Sequence, residues 1–212
     1  MGTMETRKQS ARDSFNDFVA TVIEHNAQFF IVDWRNTNGS GNYAVRYILD
    51  IEKGNFIVTG DLGNSIASWF NKVTPGKLRI HLNDIGYYIS KLQTSSDIYT
   101  YEQSDVVEDL TDMKNEVISE IPDLSPEEID GINEDFKRME ELLKEIDLST
   151  DRNYPDELTD LFAKYDQDWW ESTFANLGCR ISQRVILWVI GFQMAYDQIC
   201  TTKQPDTDYS IR

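Results

Sequence analysis

The sequence predicts an α+β fold: a small antiparallel sheet with flanking helices, then an acidic helical hairpin and a buried C-terminal helix. Apolar and polar side chains alternate over residues 43–52, which is typical of a strand with one buried face. Residues 103–146 instead place apolar side chains at helical spacing. Residues 179–202 are apolar on nearly every side, which is typical of a buried helix.

Residues 1–101 are expected to form the α+β part of the chain. Apolar side chains at three- and four-residue spacing predict an amphipathic helix over 11–27, with Ser10 as its N-cap. The apolar residues are Phe15, Phe18, Val19, Val22 and Ile23. The region 29–59 predicts a three-stranded antiparallel meander, with a polar loop at 36–42 and a turn at 53–55.

The remainder of this part is expected to be less regular. Residues 60–65 are predicted to end the sheet, and Ile66, Trp69 and Phe70 predict a short helix after it. Thr74-Pro75 is a cap followed by a first-turn proline, so a second short helix is expected over 75–83. Residues 85–89 fit either a helix or a strand, and 98–101 is expected to be extended.

Residues 102–212 are expected to form a helical part that packs on the first part as one unit. Two apolar stripes, over 106–121 and 129–146, predict an antiparallel helical hairpin, and Ser125-Pro126-Glu127-Glu128 forms a capping box at the second helix. Further helices are predicted over 155–164 and 167–177, with Gly178 as a stop before the final helix at 179–202.

The negative charge of this chain is concentrated in one segment. The net charge is −17, and residues 102–171 hold 24 acidic and six basic side chains, whereas residues 1–101 hold ten of each. Such a balance argues against binding to nucleic acid phosphates and to anionic membranes, and favours a basic protein partner. The alternative is a solvated hairpin whose carboxylates only maintain solubility.

The composition predicts a soluble cytoplasmic protein without a cofactor. The longest apolar run, 185–190, is too short to span a bilayer, and there is no secretory signal pattern. Cys179 and Cys200 are therefore expected to be reduced. No metal site is predicted, because there is no Cys-x-x-Cys and neither His25 nor His81 has a cysteine at a suggestive spacing.

A second possible site lies in the α+β part. Gly60 and Gly63 could let backbone N–H groups hold an anion at a helix N-terminus, although the segment lacks the P-loop lysine, and a tight turn capped by Asp61 or Asn64 is the alternative. Cationic side chains among the aromatic residues could hold a nucleotide, or could belong to an ordinary mixed-charge surface; they are Arg35, Arg46, Lys77 and Arg79.

Trp169 and Trp170 are adjacent, so on a helix they would point about 100° apart. One is expected to be buried and the other to lie at a groove or an interface, where tryptophan is enriched. The predicted partner-binding residues are the two tryptophans, one of which would anchor the partner, and seven carboxylates of the hairpin: Glu127, Glu128, Asp130, Glu134, Asp135, Glu140 and Glu141.

Three segments carry a resemblance: Asp33-Trp-Arg-Asn, Gly41-Asn-Tyr-Ala-Val-Arg-Tyr, and Thr59-Gly-Asp-Leu-Gly-Asn-Ser-Ile-Ala-Ser-Trp-Phe with Ser95-Ser-Asp-Ile-Tyr-Thr-Tyr beyond it. Over residues 28–103 the chain resembles uncharacterised accessory proteins of Firmicute phages and mobile elements. That resemblance implies a setting in which small acidic proteins, including anti-CRISPR proteins, inhibit host defence. It implies no catalytic residues.

These observations lead to three hypotheses of function. The first is a non-enzymatic inhibitor whose acidic helices occupy the basic nucleic-acid channel of a host defence nuclease. The second is a nucleotide-binding protein that uses the α+β part, and the third is an enzyme with a carboxylate-bound metal.

Overall fold

The structure, a computed structural model, describes residues 3–37, 44–148 and 153–202. The chain divides into two compact units. The sheet unit comprises Gly2–Ile98 and Ser182–Arg212, and the acidic unit comprises Tyr99–Ile181. The predicted boundary at residue 101 is three residues from the observed one. The boundary at 181 was not predicted, because the sequence interpretation placed the C-terminal helix with the helical part.

The sheet unit is built on a six-stranded antiparallel sheet in the order β1-β2-β3-β4-β5-β6. The strands are β1 (Phe18–His25), β2 (Phe29–Asn36), β3 (Ala44–Asp50), β4 (Asn55–Gly60), β5 (Ser65–Ser68) and β6 (Leu92–Ser95). The helices are α1 (Met4–Ser14), α2 (Pro75–His81), α3 (Ile85–Ser90) and, at the C-terminal end of the described chain, α7 (Gln183–Thr202). The α+β class and the antiparallel sheet are thus confirmed.

The core of the sheet unit lies between α7 and one face of the sheet. Phe192 of α7 contacts Phe30, Tyr47 and Phe56, with ring centroids 5.1–6.4 Å apart, so it packs on three successive strands. Trp188 is fully buried, and its indole N–H donates to the carbonyl of Leu62 at 3.0 Å. The prediction of a buried C-terminal helix is confirmed.

The predicted helix over 11–27 is wrong. Helix α1 ends at Ser14, its N-cap is Thr3 rather than Ser10, and β1 follows. The five apolar residues that suggested one helical face are divided between a helix end and a strand, where Phe15 and Phe18 are buried but Val19 and Ile23 are 44% and 51% exposed. The β-branched run 21–23 favours the strand.

Residues 65–68 form β5, so the predicted end of the sheet at 60–65 and the predicted helix after it are both wrong. A four-residue strand offers too few positions for alternation to be recognised. The helix with Thr74 as its cap is confirmed as α2, since the Thr74 side chain accepts a hydrogen bond from the Lys77 N–H. The ambiguous residues 85–89 lie in α3.

The acidic unit is predominantly helical. It contains α4 (Gln103–Glu120), α5 (Pro126–Leu143), α6 (Asp156–Tyr165), a short 3-10 helix (Thr173–Asn176) and a two-stranded ribbon of β7 (Tyr99–Tyr101) and β8 (Cys179–Ile181). Its core takes one apolar side from each α-helix, including Leu110, Phe136 and Phe162. The capping box is present: the Ser125 side chain accepts from the N–H of Glu128, and the Glu128 carboxylate accepts from the N–H of Ser125.

Two further predictions in this region are wrong. Residues 167–177 form turns and the 3-10 helix instead of an α-helix, and residues 179–181 form β8, so that the last helix begins at Gln183. Gly178 does adopt a left-handed conformation, with φ +68°. The described part of the chain does not include the predicted loop residues 38–42, the start of the predicted strand at Tyr43, or residues 151–152.

Among the described residues, no helix is long and apolar enough to cross a membrane.

Candidate acidic binding surface

The structural division of the chain coincides with the division of its charge. The acidic unit contains 24 acidic and seven basic side chains, so its net charge of −17 equals that of the whole chain. The sheet unit is therefore close to neutral. A partner that responds to charge would approach the acidic unit.

Helix α4 carries a row of carboxylates at four-residue spacing: Glu108, Asp112, Glu116 and Glu120. All four are exposed, and this spacing places them along one side of the helix. Glu108 lies 3.7 Å from Arg180. The other three form no ion pair within the described ranges. Like charges at this spacing destabilise a helix by about 0.2–0.5 kcal/mol per pair, so the row has a cost in stability.

Helix α5 carries a second row on the side opposite its buried Phe136 and Met139. Glu127, Asp130 and Glu134 recur at three- and four-residue spacing and are exposed. None of the three forms an ion pair with a residue that the structure describes. These three are the members of the predicted set that are exposed and form no ion pair with a described residue, although Lys137 lies three residues after Glu134 on the same side of the helix.

The other four predicted carboxylates are engaged within the unit. Glu128 belongs to the capping box, and the hydrogen bonds from the Ser125 N–H and hydroxyl lower its pKa. Asp135 accepts from Lys164 and from the Tyr165 hydroxyl. Burial alone would raise the pKa of Asp135, but these hydrogen bonds outweigh it and the pKa lies below its usual value. Glu140 pairs with Lys144 at 2.7 Å, and Glu141 lies 3.7 Å from Arg138.

Two cations of the acidic unit, Arg138 and Lys164, connect α5 to α6. Arg138 on α5 donates to both oxygens of Glu157 on α6, at 2.7 and 2.9 Å, which raises the pKa of the arginine. Lys164 of α6 pairs with Asp135 of α5. Neither of these two cations forms an ion pair with a carboxylate of the outer rows.

Arg180 of β8 contacts three carboxylates of α4. It donates to both oxygens of Asp109, and its Nε lies 3.9 Å from Asp105, which is fully buried. The Asp109 carboxylate also accepts from the N–H of Gly178 at 2.8 Å. The position of α4, and so of its carboxylate row, therefore depends on this arginine.

The two adjacent tryptophans occupy different environments, as predicted, although the chain around them is a turn rather than a helix. Trp169 is half-buried and packs its ring 5.4 Å from Phe162 and 5.8 Å from Tyr154. Trp170 is 56% exposed, with its ring edge-on to Trp169. Of the two candidate anchors, Trp170 is the one available to a partner.

Three of the four cations proposed for the alternative nucleotide site are engaged by carboxylates. Arg46 donates to both oxygens of Asp33 at 2.6 and 2.9 Å, and Arg35 donates to the same carboxylate at 3.1 Å. Arg79 forms a two-donor pair with Asp197 of α7. Lys77 lies in the first turn of α2. These residues do not converge on a common pocket.

Gly60 and Gly63 have structural roles in the turn between β4 and β5. Gly60 has φ +126°, and a Cβ atom there would lie 2.1 Å from the carbonyl oxygen of Ala44 on β3. Gly63 has φ +85° and donates to the Gly60 carbonyl at 3.0 Å. The turn joins two strands, so there is no helix N-terminus here to hold an anion, and of the two alternatives the structure shows the tight turn.

The described residues contain no group of three or more histidine, cysteine or acidic side chains placed to hold a metal ion. His81 stacks on Trp69 at 5.9 Å, and His25 lies edge-on to Phe30 at 5.1 Å. Cys179 and Cys200 are free thiols.

Comparisons with known proteins do not extend these observations. No protein-family model, no curated protein and no solved structure matches this chain. The candidate site therefore rests on the geometry of the acidic unit.

Two features of this surface escaped the sequence interpretation. The carboxylates of the α4 row recur every four residues in the sequence, but the residues predicted to bind a partner all lie on α5 or in the tryptophan pair. Arg180 gives no such signal, because its carboxylate partners lie about 70 residues earlier in the chain.

Proposed function

We propose that the protein is a non-enzymatic acidic inhibitor encoded by a phage or mobile element, and that it binds a host defence nuclease by mimicking the charge of nucleic acid. The observation that carries this proposal is the pair of carboxylate rows on α4 and α5, which are exposed and of which only Glu108 lies in an ion pair among the described residues. The resemblance of residues 28–103 to mobile-element accessory proteins supports the setting, and such a nuclease would be met in the cytoplasm.

The spacing of the α4 row suits a channel that binds phosphates. Four residues of helix correspond to about 6 Å, so the row presents one negative charge about every 6 Å. One strand of DNA presents a charge about every 3.4 Å of helix axis. A rigid helix with half that density can still pair with lysines and arginines that normally contact the backbone. The nuclease would then lose access to its substrate without any chemical step.

Trp170, the exposed tryptophan of the same unit, would add an apolar contact to the complex. An exposed tryptophan beside polar residues is a common centre of binding energy, whereas exposed carboxylates mainly set association rate and specificity. We expect Trp170 to reduce dissociation and the rows to accelerate association. The complex should weaken as salt is added.

Two variants with equal charge change test the role of the rows. The row variant combines Glu116→Lys, Asp130→Lys and Glu134→Lys. The off-row variant combines Glu145→Lys, Asp156→Lys and Asp160→Lys, which are also exposed acidic positions of this unit. Both raise the net charge by six, so a general field effect would weaken both equally.

The experiment is affinity capture from nuclease-treated host lysate, with elution by a salt ramp, using the wild type and both variants as bait. The proposal predicts a basic nucleic-acid enzyme that elutes at moderate salt from the wild type and the off-row variant, and that is lost with the row variant. Equal recovery with the row variant, or a partner indifferent to salt, would contradict it.

A further inference from the structure

The face of the sheet opposite α7 carries a row of isoleucines across four strands. The strand register aligns Ile31 with Ile48, Ile48 with Ile57, and Ile57 with Ile66. Ile66 is 37% exposed, and the other three are partly exposed. The solvated face of an antiparallel sheet normally carries polar side chains at such central positions. Four aligned isoleucines therefore indicate a face that becomes covered.

Polar residues flank this row on both sides on the two central strands, β3 and β4. On β3, Arg46 and Asp50 lie two residues to either side of Ile48, so their side chains share its face of the sheet. On β4, Asn55 and Thr59 flank Ile57 in the same way. The two members of each flanking pair can form a hydrogen bond or ion pair with each other's side-chain type. Within one chain, however, they lie on opposite sides of the row.

We propose that this face forms the interface of a symmetric homodimer. A two-fold axis along the isoleucine row places each isoleucine against the same residue of the second copy. The same rotation brings Arg46 opposite Asp50 of the partner subunit, and Thr59 opposite Asn55 of the partner subunit. On β3 and β4 the surface is thus complementary to itself, as a two-fold interface requires.

The charge of the face also favours a second copy over a strongly charged partner. It carries three acidic and two basic side chains, Glu24, Asp33, Asp50, Arg35 and Arg46, and Asp33 already binds both arginines. Such a nearly neutral face attracts neither a polyanion nor a polycation. The −17 charge belongs to the other unit.

The area of the sheet is sufficient for a dimer. Strands lie about 4.8 Å apart and rise about 3.4 Å per residue, so six short strands cover roughly 25 by 20 Å. Packing two such faces would bury roughly 1,000–1,200 Å² in total, which is the lower end of the range for specific interfaces. Edge-to-edge pairing through β1 is disfavoured, because a bulge between Val22 and Glu24 interrupts its ladder.

The test is sedimentation velocity on the full chain from about 1 to 100 µM, a range that brackets dissociation constants of ordinary dimers. The wild type is expected to dimerise. Ile48→Thr with Ile57→Thr should raise the dissociation constant more than about tenfold, because it removes apolar contact while keeping β-branched residues in the sheet. Ile80→Thr, at a 64% exposed position on α2, is the matched control and should change nothing.

A second variant keeps the test independent of folding defects. Asp50→Lys places a lysine opposite Arg46 of the partner subunit and should also weaken the dimer, while the melting temperature reports whether each variant remains folded. A wild type that is monomeric throughout the range would overturn the proposal. So would a dimer that survives both the double threonine variant and Asp50→Lys.

Discussion

Arg180 donates two hydrogen bonds to Asp109, from Nη1 at 3.0 Å and from Nη2 at 2.7 Å, and thereby joins β8 to α4. Asp105, on the same helix, is fully buried, and its carboxylate oxygens accept no hydrogen bond from any described residue. Within the described part of the chain, the Arg180 guanidinium, 3.9 Å away, is the one cation that pairs with that carboxylate. Removing it would leave a buried negative charge without compensation.

Arg180→Met is therefore expected to destabilise the acidic unit by about 3–5 kcal/mol, the usual cost of removing one partner of a buried pair. Arg184→Met is the matched control, because Arg184 is 41% exposed and lies 3.5 Å from an exposed Asp97, a pair worth about 0–1 kcal/mol. Thermal or urea unfolding of both variants is the measurement. Adding Asp105→Asn to Arg180→Met should restore part of the loss, and no recovery would contradict the role assigned to Arg180.

Two glycine substitutions should change stability in opposite directions. Gly131 lies inside α5, and a Cβ there meets nothing within 4 Å, so Gly131→Ala should stabilise by about 0.5–1 kcal/mol through helix propensity. Gly60→Ala would force a Cβ to 2.1 Å from the Ala44 carbonyl at φ +126°, and should destabilise by at least about 2 kcal/mol. Urea unfolding distinguishes the two, and a neutral Gly60→Ala would refute the close approach of the chains.

The pair of Asp33 and Arg46 predicts a defined acid sensitivity of the sheet unit. The hydrogen bonds from Arg46 lower the pKa of Asp33 below its ordinary 3.8, although partial burial opposes this. Because the folded pKa is lowered, the stabilisation is complete above pH 3.8 and is lost as the pH falls through the folded pKa. Asp33→Asn should flatten the stability profile in that window. Wild-type and variant profiles that remain parallel there would show that the pair contributes nothing.

Alanine substitutions of the two tryptophans should have different effects on the stability of the protein and on its affinity for a partner. Trp169→Ala removes ring contacts with Phe162 and Tyr154 and should cost about 3 kcal/mol of stability. Trp170→Ala, at a 56% exposed position, should leave stability within about 0.5 kcal/mol but weaken partner binding. The measurements are calorimetric unfolding and partner affinity of both variants. Unchanged binding by Trp170→Ala would contradict this assignment.

Local signals in the sequence were sufficient to predict some helices and strands but not others. The start of α5 was predicted correctly, because the Ser125 cap, the first-turn Pro126 and Glu128 act within four residues of each other. The strand at β3 was predicted from alternation alone, since Val45, Tyr47 and Leu49 all face the core. Both signals depend on neighbours in the chain.

The errors arose where one pattern fits two structures. The spacing of Phe15, Phe18 and Val22 suits a helix, but the observed chain turns after Ser14, and Val19 reaches solvent on the edge strand β1. The location of α7 in the sheet unit depends on contacts such as Phe192 with Tyr47, which join residues far apart in sequence. For the site, the sequence located the acidic segment but could not separate exposed Glu134 from engaged Asp135.

Charge mimicry requires that the carboxylate rows compete with nucleic acid for the same surface of the partner. Displacement of a fluorescent DNA duplex from the captured enzyme, by the wild type, the row variant and the off-row variant, measures that competition. Charge mimicry predicts displacement by the wild type, a loss of more than about tenfold in potency for the row variant, and a loss below about threefold for the off-row variant. Simultaneous binding of DNA and the wild type, or equal potency of the two variants, would contradict charge mimicry by these rows.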